Sequence, residues 1–146
     1  MDKLETFYVL AKAYLEYIMN TEISGDSAAS LVERLMKLYI AAQNLPEPEP
    51  ETTGAPRRGE GVKVRLSEEI SPYYWAVSDP GVLEEPVCGS LVDDLADIAS
   101  DLQRGIEEYD KGKVGNAAFE WSFGFRHHWG DHAVDAIRYL HSIKRG

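Results

Sequence analysis

SLVDDLADIASDLQRGIEEYDKG, residues 90–112, carries the clearest helical signal in the chain. Leu91, Leu95, Ile98, Leu102 and Ile106 recur at three- and four-residue intervals, the period of one face of an α-helix. Ser90 and Asp93 have the S-x-x-D form of a capping box, which satisfies backbone N–H groups that the first turn leaves free. Gly112 suits the far end, because helices commonly close on a glycine in the left-handed conformation. A helix over about 90–110 is predicted, with an apolar stripe that needs neighbours to cover it.

Those neighbours lie on both sides in sequence. Ala118, Trp121, Phe125, Trp129, Ala136, Tyr139, Leu140 and Ile143 predict helix over about 114–143, with Gly130 placed to kink or divide it. Leu4, Phe7, Ala11, Tyr14, Leu15 and Ile18 predict a first helix over about 2–20. NTEISGDS then reads as a turn in which Asp26 or Ser27 caps the next helix. That second helix, about 27–45, has Leu31, Leu35, Leu38 and Ala42 on one stripe and Val32, Met36 and Tyr39 on another, until Pro46 ends it. Two adjacent stripes are wider than one packing partner needs.

PEPEPETTGAPRRGEG (46–61) has four prolines, three glycines and no apolar period, so it reads as a long loop. VKVRL (62–66) alternates as a short extended piece, with no second strand evident to pair with it. A short helix is predicted around 68–77, and the prolines that follow impose a loop. The fold expected is all-α, a bundle of four to five main helices with one long Pro/Gly-rich loop, in a single domain over 1–146.

Charge and composition exclude several functions. A net charge of −10, with basic pairs only at Arg57–Arg58 and Lys144–Arg145, argues against nucleic acid or an anionic membrane as partner. One cysteine, Cys88, excludes an internal disulfide and a cysteine-rich zinc site, and reads as a structural thiol. No run approaches the roughly 18 apolar residues of a spanning helix. The first twenty residues lack the basic start and apolar run of a signal peptide, so a cytoplasmic protein is expected.

Two clusters carry the chemistry the sequence offers. At about 100° per residue, Asp93, Asp94, Asp97 and Asp101 fall within one arc of the 90–110 helix. Similar acidic faces hold magnesium in all-α pyrophosphohydrolases, since hard cations take oxygen ligands. The plainer reading, a solvated face opposite the leucine stripe with Asp94 at its inner edge, is preferred for the arc alone. In FRHHWGDHAVDA (125–136), His128 and His132 stand four apart on the face of Trp121, Phe125, Ala136 and Tyr139, while His127 and His141 fall outside.

Two inward imidazoles must find partners, because an unpaired buried polar group costs about 1–3 kcal/mol. Asp135 and Asp131 are near on the same segment, and Asp94 or Asp97 can reach across from the 90–110 helix. Three readings follow. The pair ligates a divalent metal with Asp94 and Asp97, or one histidine is a base poised by an aspartate, or both are core histidines that lock two helices together. The third is preferred, because the glutamate of H-E-x-x-H is absent from H-W-G-D-H. No cofactor is implied, and a divalent metal is the one candidate. Trp75, Trp121 and Tyr139 are candidate pocket-lining residues, and no nucleophile or phosphate-loop motif occurs.

YYWAVSDP (73–80), EEPVCGSLVDDLADIASDL (84–102) and WSFGFRHHWGDHAVDAIRYLH (121–141), in that order, resemble an uncharacterised family of bacterial helical proteins known as a domain of unknown function. LVERLMKLYIAAQNLP (31–46) fits the same pattern. The resemblance implies an all-α cytoplasmic bacterial protein and supplies no catalytic residues. The function expected is a non-enzymatic interaction or regulatory module, with a protein partner or a second copy. The alternative is a metal-dependent hydrolase of a small phosphorylated substrate that uses the aspartates and the histidine pair.

Overall fold

A computed structural model describes residues 1–46 and 61–144. The loop expected at 46–61 therefore lies, but for its two end residues, outside the described residues. The protein is mainly α: α1 (Lys3–Asn20), α2 (Ala28–Gln43), α3 (Leu91–Asp110), α4 (Val114–Gly124) and α5 (Gly130–Lys144), with a two-stranded hairpin of β1 (Tyr73–Ala76) and β2 (Val87–Ser90). Among the described residues, no helix is long and apolar enough to cross a membrane.

Each long helix forms for reasons visible in its sequence. Asp2 caps α1 by accepting the Glu5 N–H at 2.8 Å, and Phe7, Ala11, Tyr14 and Ile18 are buried along it. Ser90 caps α3 through the Asp93 N–H at 3.3 Å, and Gly112, at φ +81°, follows its C-terminus. The start of α2 differs from expectation. Ser27 makes no side-chain cap bond there; its Oγ accepts the Ser24 N–H at 2.8 Å and donates to the Glu22 carbonyl at 3.1 Å, closing the turn itself.

α3 is the hub. It packs against α1, α4 and α5, while α2 covers α1 and α5. Phe7 meets Trp121 at 4.8 Å and Trp129 at 6.0 Å between ring centres, and the Tyr14 hydroxyl donates to the Leu95 carbonyl at 2.9 Å. Three neighbours widen the covered sector of α3 beyond its leucine stripe. Asp94 and Asp101 are consequently buried, at 5% and 6% exposure, where a solvated acidic arc was expected.

Between α4 and α5 the chain makes one π-turn, Phe125–Trp129, in which the Gly130 N–H donates back five residues to the Phe125 carbonyl. A Cβ at residue 130 would sit 2.1 Å from that carbonyl oxygen, so only glycine allows the wide turn to close. The dividing role expected of Gly130 is met by this turn. It also breaks the 100° step on which the helical wheel rests.

The helix predicted at 68–77 is replaced by β1, antiparallel to β2 in the register Tyr73–Ser90, Tyr74–Gly89, Trp75–Cys88 and Ala76–Val87. Pro72 disfavours helix in the residue before it, and the aromatic run suits a pleated strand. A strand sends successive side chains to opposite faces, so Tyr74 turns inward and Trp75 outward. Leu66 pairs in parallel with a single residue, Ile23, in the α1–α2 connection, which is the partner that VKVRL lacked in the sequence.

Candidate functional site

The site forms where α3 runs beside the π-turn and the start of α5. β2 feeds directly into α3, so Ser90 ends the strand and caps the helix, and Tyr74 on β1 is held above the first turn of α3. Gly89 makes room for it: a Cβ there would lie 2.6 Å from the Tyr74 ring. The other face of that ring stacks on Tyr139 at 4.8 Å, and the Tyr139 hydroxyl donates to the Ser71 carbonyl at 2.6 Å.

Two histidines meet three aspartates. His132 Nδ1 lies 2.7 Å from Asp94 Oδ1, and His128 Nδ1 lies 2.6 Å from Asp101 Oδ2. An ionised carboxylate only accepts, so both imidazoles carry a proton on Nδ1. Their Nε2 atoms therefore present lone pairs, or second protons, toward the same carboxylate. Asp97 Oδ2 stands 3.2 Å from His132 Nε2 and 3.9 Å from His128 Nε2. One ligand atom from each of Asp97, His128 and His132 falls within 4.8 Å of the others.

Burial grades across the cluster. Asp94 and Asp101 are inside, while the side chains of His132, Asp97 and His128 are 26%, 46% and 47% exposed. The inner aspartates are fully engaged: Asp94 also accepts the Tyr74 hydroxyl, and Asp101 also accepts from Arg104. The hydrogen bond to Asp94 raises the His132 pKa against the opposing effect of burial, and nearby Asp97 and Asp135 add to the rise. Burial, then the hydrogen bond to Asp94, keeps Tyr74 a phenol far above its ordinary range. Burial and the Asp94 charge also raise the Asp135 carboxyl.

Of the residues singled out in the sequence, His128, His132, Asp94 and Asp97 come together. His128 is more exposed than the wheel placed it, because the π-turn rotates residues 125–129 relative to α5. Trp75 projects outward at 77% exposure, and Trp121 is fully buried with its Nε1–H on the Leu102 carbonyl at 3.0 Å, so the two are not brought together. Asp101 was placed on the acidic arc but not with His128, and Tyr74 was not placed with Asp94. Asp101 had a signal, since it lies one turn beyond Asp97 on the same arc. Tyr74 had none, because only the hairpin brings it over Asp94.

Beside the cluster, α3 and α4 enclose a cleft of about 420 Å³ lined by Asp101, Arg104, Phe119, Glu120, Phe123 and His127, with Gly124 and His128. The fold and cluster define a small helical-bundle protein with a paired His–Asp centre on one flank. Residues 2–145 match a domain of unknown function, DUF5063, and the chain belongs to that family. Its fold is similar to the crystal structure of protein BF1032 from Bacteroides fragilis, a structural-genomics target, with a TM-score of 0.74 and 20% identity over 100% of this chain and 97% of that one. No curated protein matches it.

Proposed function

We propose that this protein binds one divalent first-row transition-metal ion through His128 Nε2, His132 Nε2 and the Asp97 carboxylate, and uses it to activate water for hydrolysis. The observation that carries this reading is the pair of buried aspartates behind the histidines. Metal-bound histidines commonly donate their other ring N–H to a carboxylate, which fixes the tautomer and strengthens the ligand. Here both histidines do so and both turn Nε2 to one aspartate. Metal–ligand bonds of about 2.1 Å place donor atoms roughly 3.0–3.4 Å apart, so the 3.2 Å pair already fits and the 3.9 Å pair needs a small ring rotation. Three protein ligands at an exposed rim leave coordination positions for water and substrate, the arrangement of a catalytic rather than a structural centre.

The competing account is that a protonated His132 bridges Asp94 and Asp97 and only locks α5 to α3. Elemental analysis separates the two. Protein purified without affinity tag or chelator is expected to carry about one metal ion per chain, lost in the His128→Ala/His132→Ala double variant. Asp101→Asn keeps every ligand and is expected to weaken binding roughly 10–100-fold. Metal-free protein whose melting is unmoved by excess Zn²⁺, Mn²⁺ or Fe²⁺ would defeat the reading, because a ligand bound only by the folded state must stabilise it.

A second reading, self-association, draws on one separate feature. Met36, Ile40 and Val134 are about half exposed or more beside Tyr39 and Ile137, around a shallow apolar recess between α2 and α5. Light scattering over a concentration series tests it, and a strict monomer at high concentration counts against it.

A further inference from the structure

The cleft that shares Asp101 and His128 with the metal cluster has a composition that selects among ligands. One wall is a row of rings from α4 and the π-turn: Phe119 stacks on Phe123 at 5.3 Å with planes 20° apart, and Phe123 meets the His127 ring at 4.5 Å. Phe119 and Phe123, four apart on α4, lie nearly parallel, and the His127 ring from the π-turn continues the wall at a tilt of 46° to Phe123. Phe123 is 47% exposed, and it faces a concavity. Gly124 carries no side chain next to Asp101, where a Cβ would come within 3.5 Å of Asp101 Oδ2, so the floor stays open toward the carboxylate.

The other wall settles the charge. Asp101 is buried, and its acceptor atoms face His128 and Arg104. Arg104, the arginine of the cleft, donates to Asp101 through its Nη group, while its Nε–H is buried and has no hydrogen-bond partner among the described residues. Glu120 adds a second, half-buried carboxyl, whose pKa burial raises and the Arg104 charge lowers. An incoming anion meets two carboxylates and an arginine whose Nη group is held by Asp101 and whose Nε–H is closed off from solvent. An N–H donor meets the Glu120 carboxyl.

We infer that this cleft binds the organic part of the substrate, and that this part is a flat, π-rich group bearing N–H donors and no negative charge, of the aromatic amine or amidine class. The inference rests on the reading of the adjoining cluster as the metal centre, since it makes the cleft that centre's substrate side. A volume of about 420 Å³ lies within the ordinary range for small-molecule sites and has room for a ring with a substituent reaching His128. A phosphate or carboxylate group belongs, if anywhere, on the metal and not in the cleft.

Benzamidine and benzoate, alike in shape and opposite in charge, test this on the full chain, with and without Zn²⁺. Side-chain NMR of Phe119, Phe123 and His127 reports occupancy, and inorganic phosphate is the third probe. Benzamidine is expected to shift those three residues saturably and to bind at least about tenfold more tightly than benzoate, because like charges brought together are strongly disfavoured. Phe123→Ala, at an exposed position, should weaken it roughly two- to tenfold by removing one stacking face. Glu120→Gln should narrow the preference over benzoate. Benzoate or phosphate binding in the cleft as tightly as benzamidine overturns the inference, and so do benzamidine shifts confined to other surfaces. Zinc binding with no benzamidine at the cleft would remove this inference and leave the metal centre standing. Benzamidine at the cleft of a protein that takes up no metal would remove the metal centre and, with it, the cleft's role as that centre's substrate side, leaving only the ligand preference.

Discussion

Replacing Tyr74 with phenylalanine isolates the hydrogen bond from the hairpin to Asp94. The Phe ring keeps its place between Gly89 and Tyr139, so only the hydroxyl is lost. That hydroxyl donates to Asp94 Oδ2, while Asp94 Oδ1 remains with His132. Asp94 is 5% exposed, so water has poor access to the vacated oxygen. A hydrogen bond to a charged group contributes about 1.5–3 kcal/mol, and a buried acceptor left unmet retains most of that penalty. At roughly 3–4 °C per kcal/mol for a chain of this size, Tm should fall by about 4–12 °C. Urea unfolding of Tyr74→Phe, Asp94→Asn and the double variant measures the coupling directly, and about 1 kcal/mol or more is expected between the two positions. A loss below about 0.5 kcal/mol for Tyr74→Phe, or strict additivity with Asp94→Asn, would refute the claim that Tyr74 supports Asp94.

Three further outcomes follow from the same geometry. His132 has a folded-state pKa raised chiefly by Asp94, so in metal-free protein its contribution is fully present below the unfolded imidazole value near ~6.5 and is lost as pH rises through the folded value. Urea midpoints of wild type and His132→Gln between pH 6 and 9 should therefore converge as pH rises, whereas zinc affinity should strengthen over the same window as the metal displaces the proton; a gap that widens with pH contradicts this. Gly89→Ala puts a methyl 2.6 Å from the Tyr74 ring and should cost about 1–3 kcal/mol in unfolding free energy, with altered Tyr74 resonances, because backbone and ring must separate. Trp75→Ala, on the outer face of β1, should leave unfolding within about 0.5 kcal/mol of wild type, and a larger loss would mean that the indole has a partner.

Much of the bundle was legible because helical periodicity is local. The stripes Phe7–Ala11–Tyr14–Ile18, Leu31–Leu35–Leu38–Ala42 and Leu91–Leu95–Ile98–Leu102 are the buried faces of α1, α2 and α3, and the Ser90 cap needed only the four residues that make it. The strand at 73–76 was not legible as one. Its partner lies across a ten-residue loop, and the alternation that marks a strand is short and interrupted by the two outward aromatics, Tyr73 and Trp75.

The candidate site divides along the same line. Residue type and spacing alone made His128, His132, Asp94 and Asp97 candidates, because four-residue spacing places groups on one side of any helix. Which aspartate answers which histidine was decided by packing. α3 lies against three neighbours, so its buried sector extends to Asp94 and Asp101, and the antiparallel run of α5 sets His132 on Asp94 and His128 on Asp101. The π-turn closed by Gly130 shifts His128 outward by an amount that no 100° wheel contains. Local chemistry is written in the order of residues along the chain. The convergence of two Nε2 atoms on one carboxylate requires two segments about thirty residues apart to meet at a defined rotation, and only the tertiary fold sets that rotation.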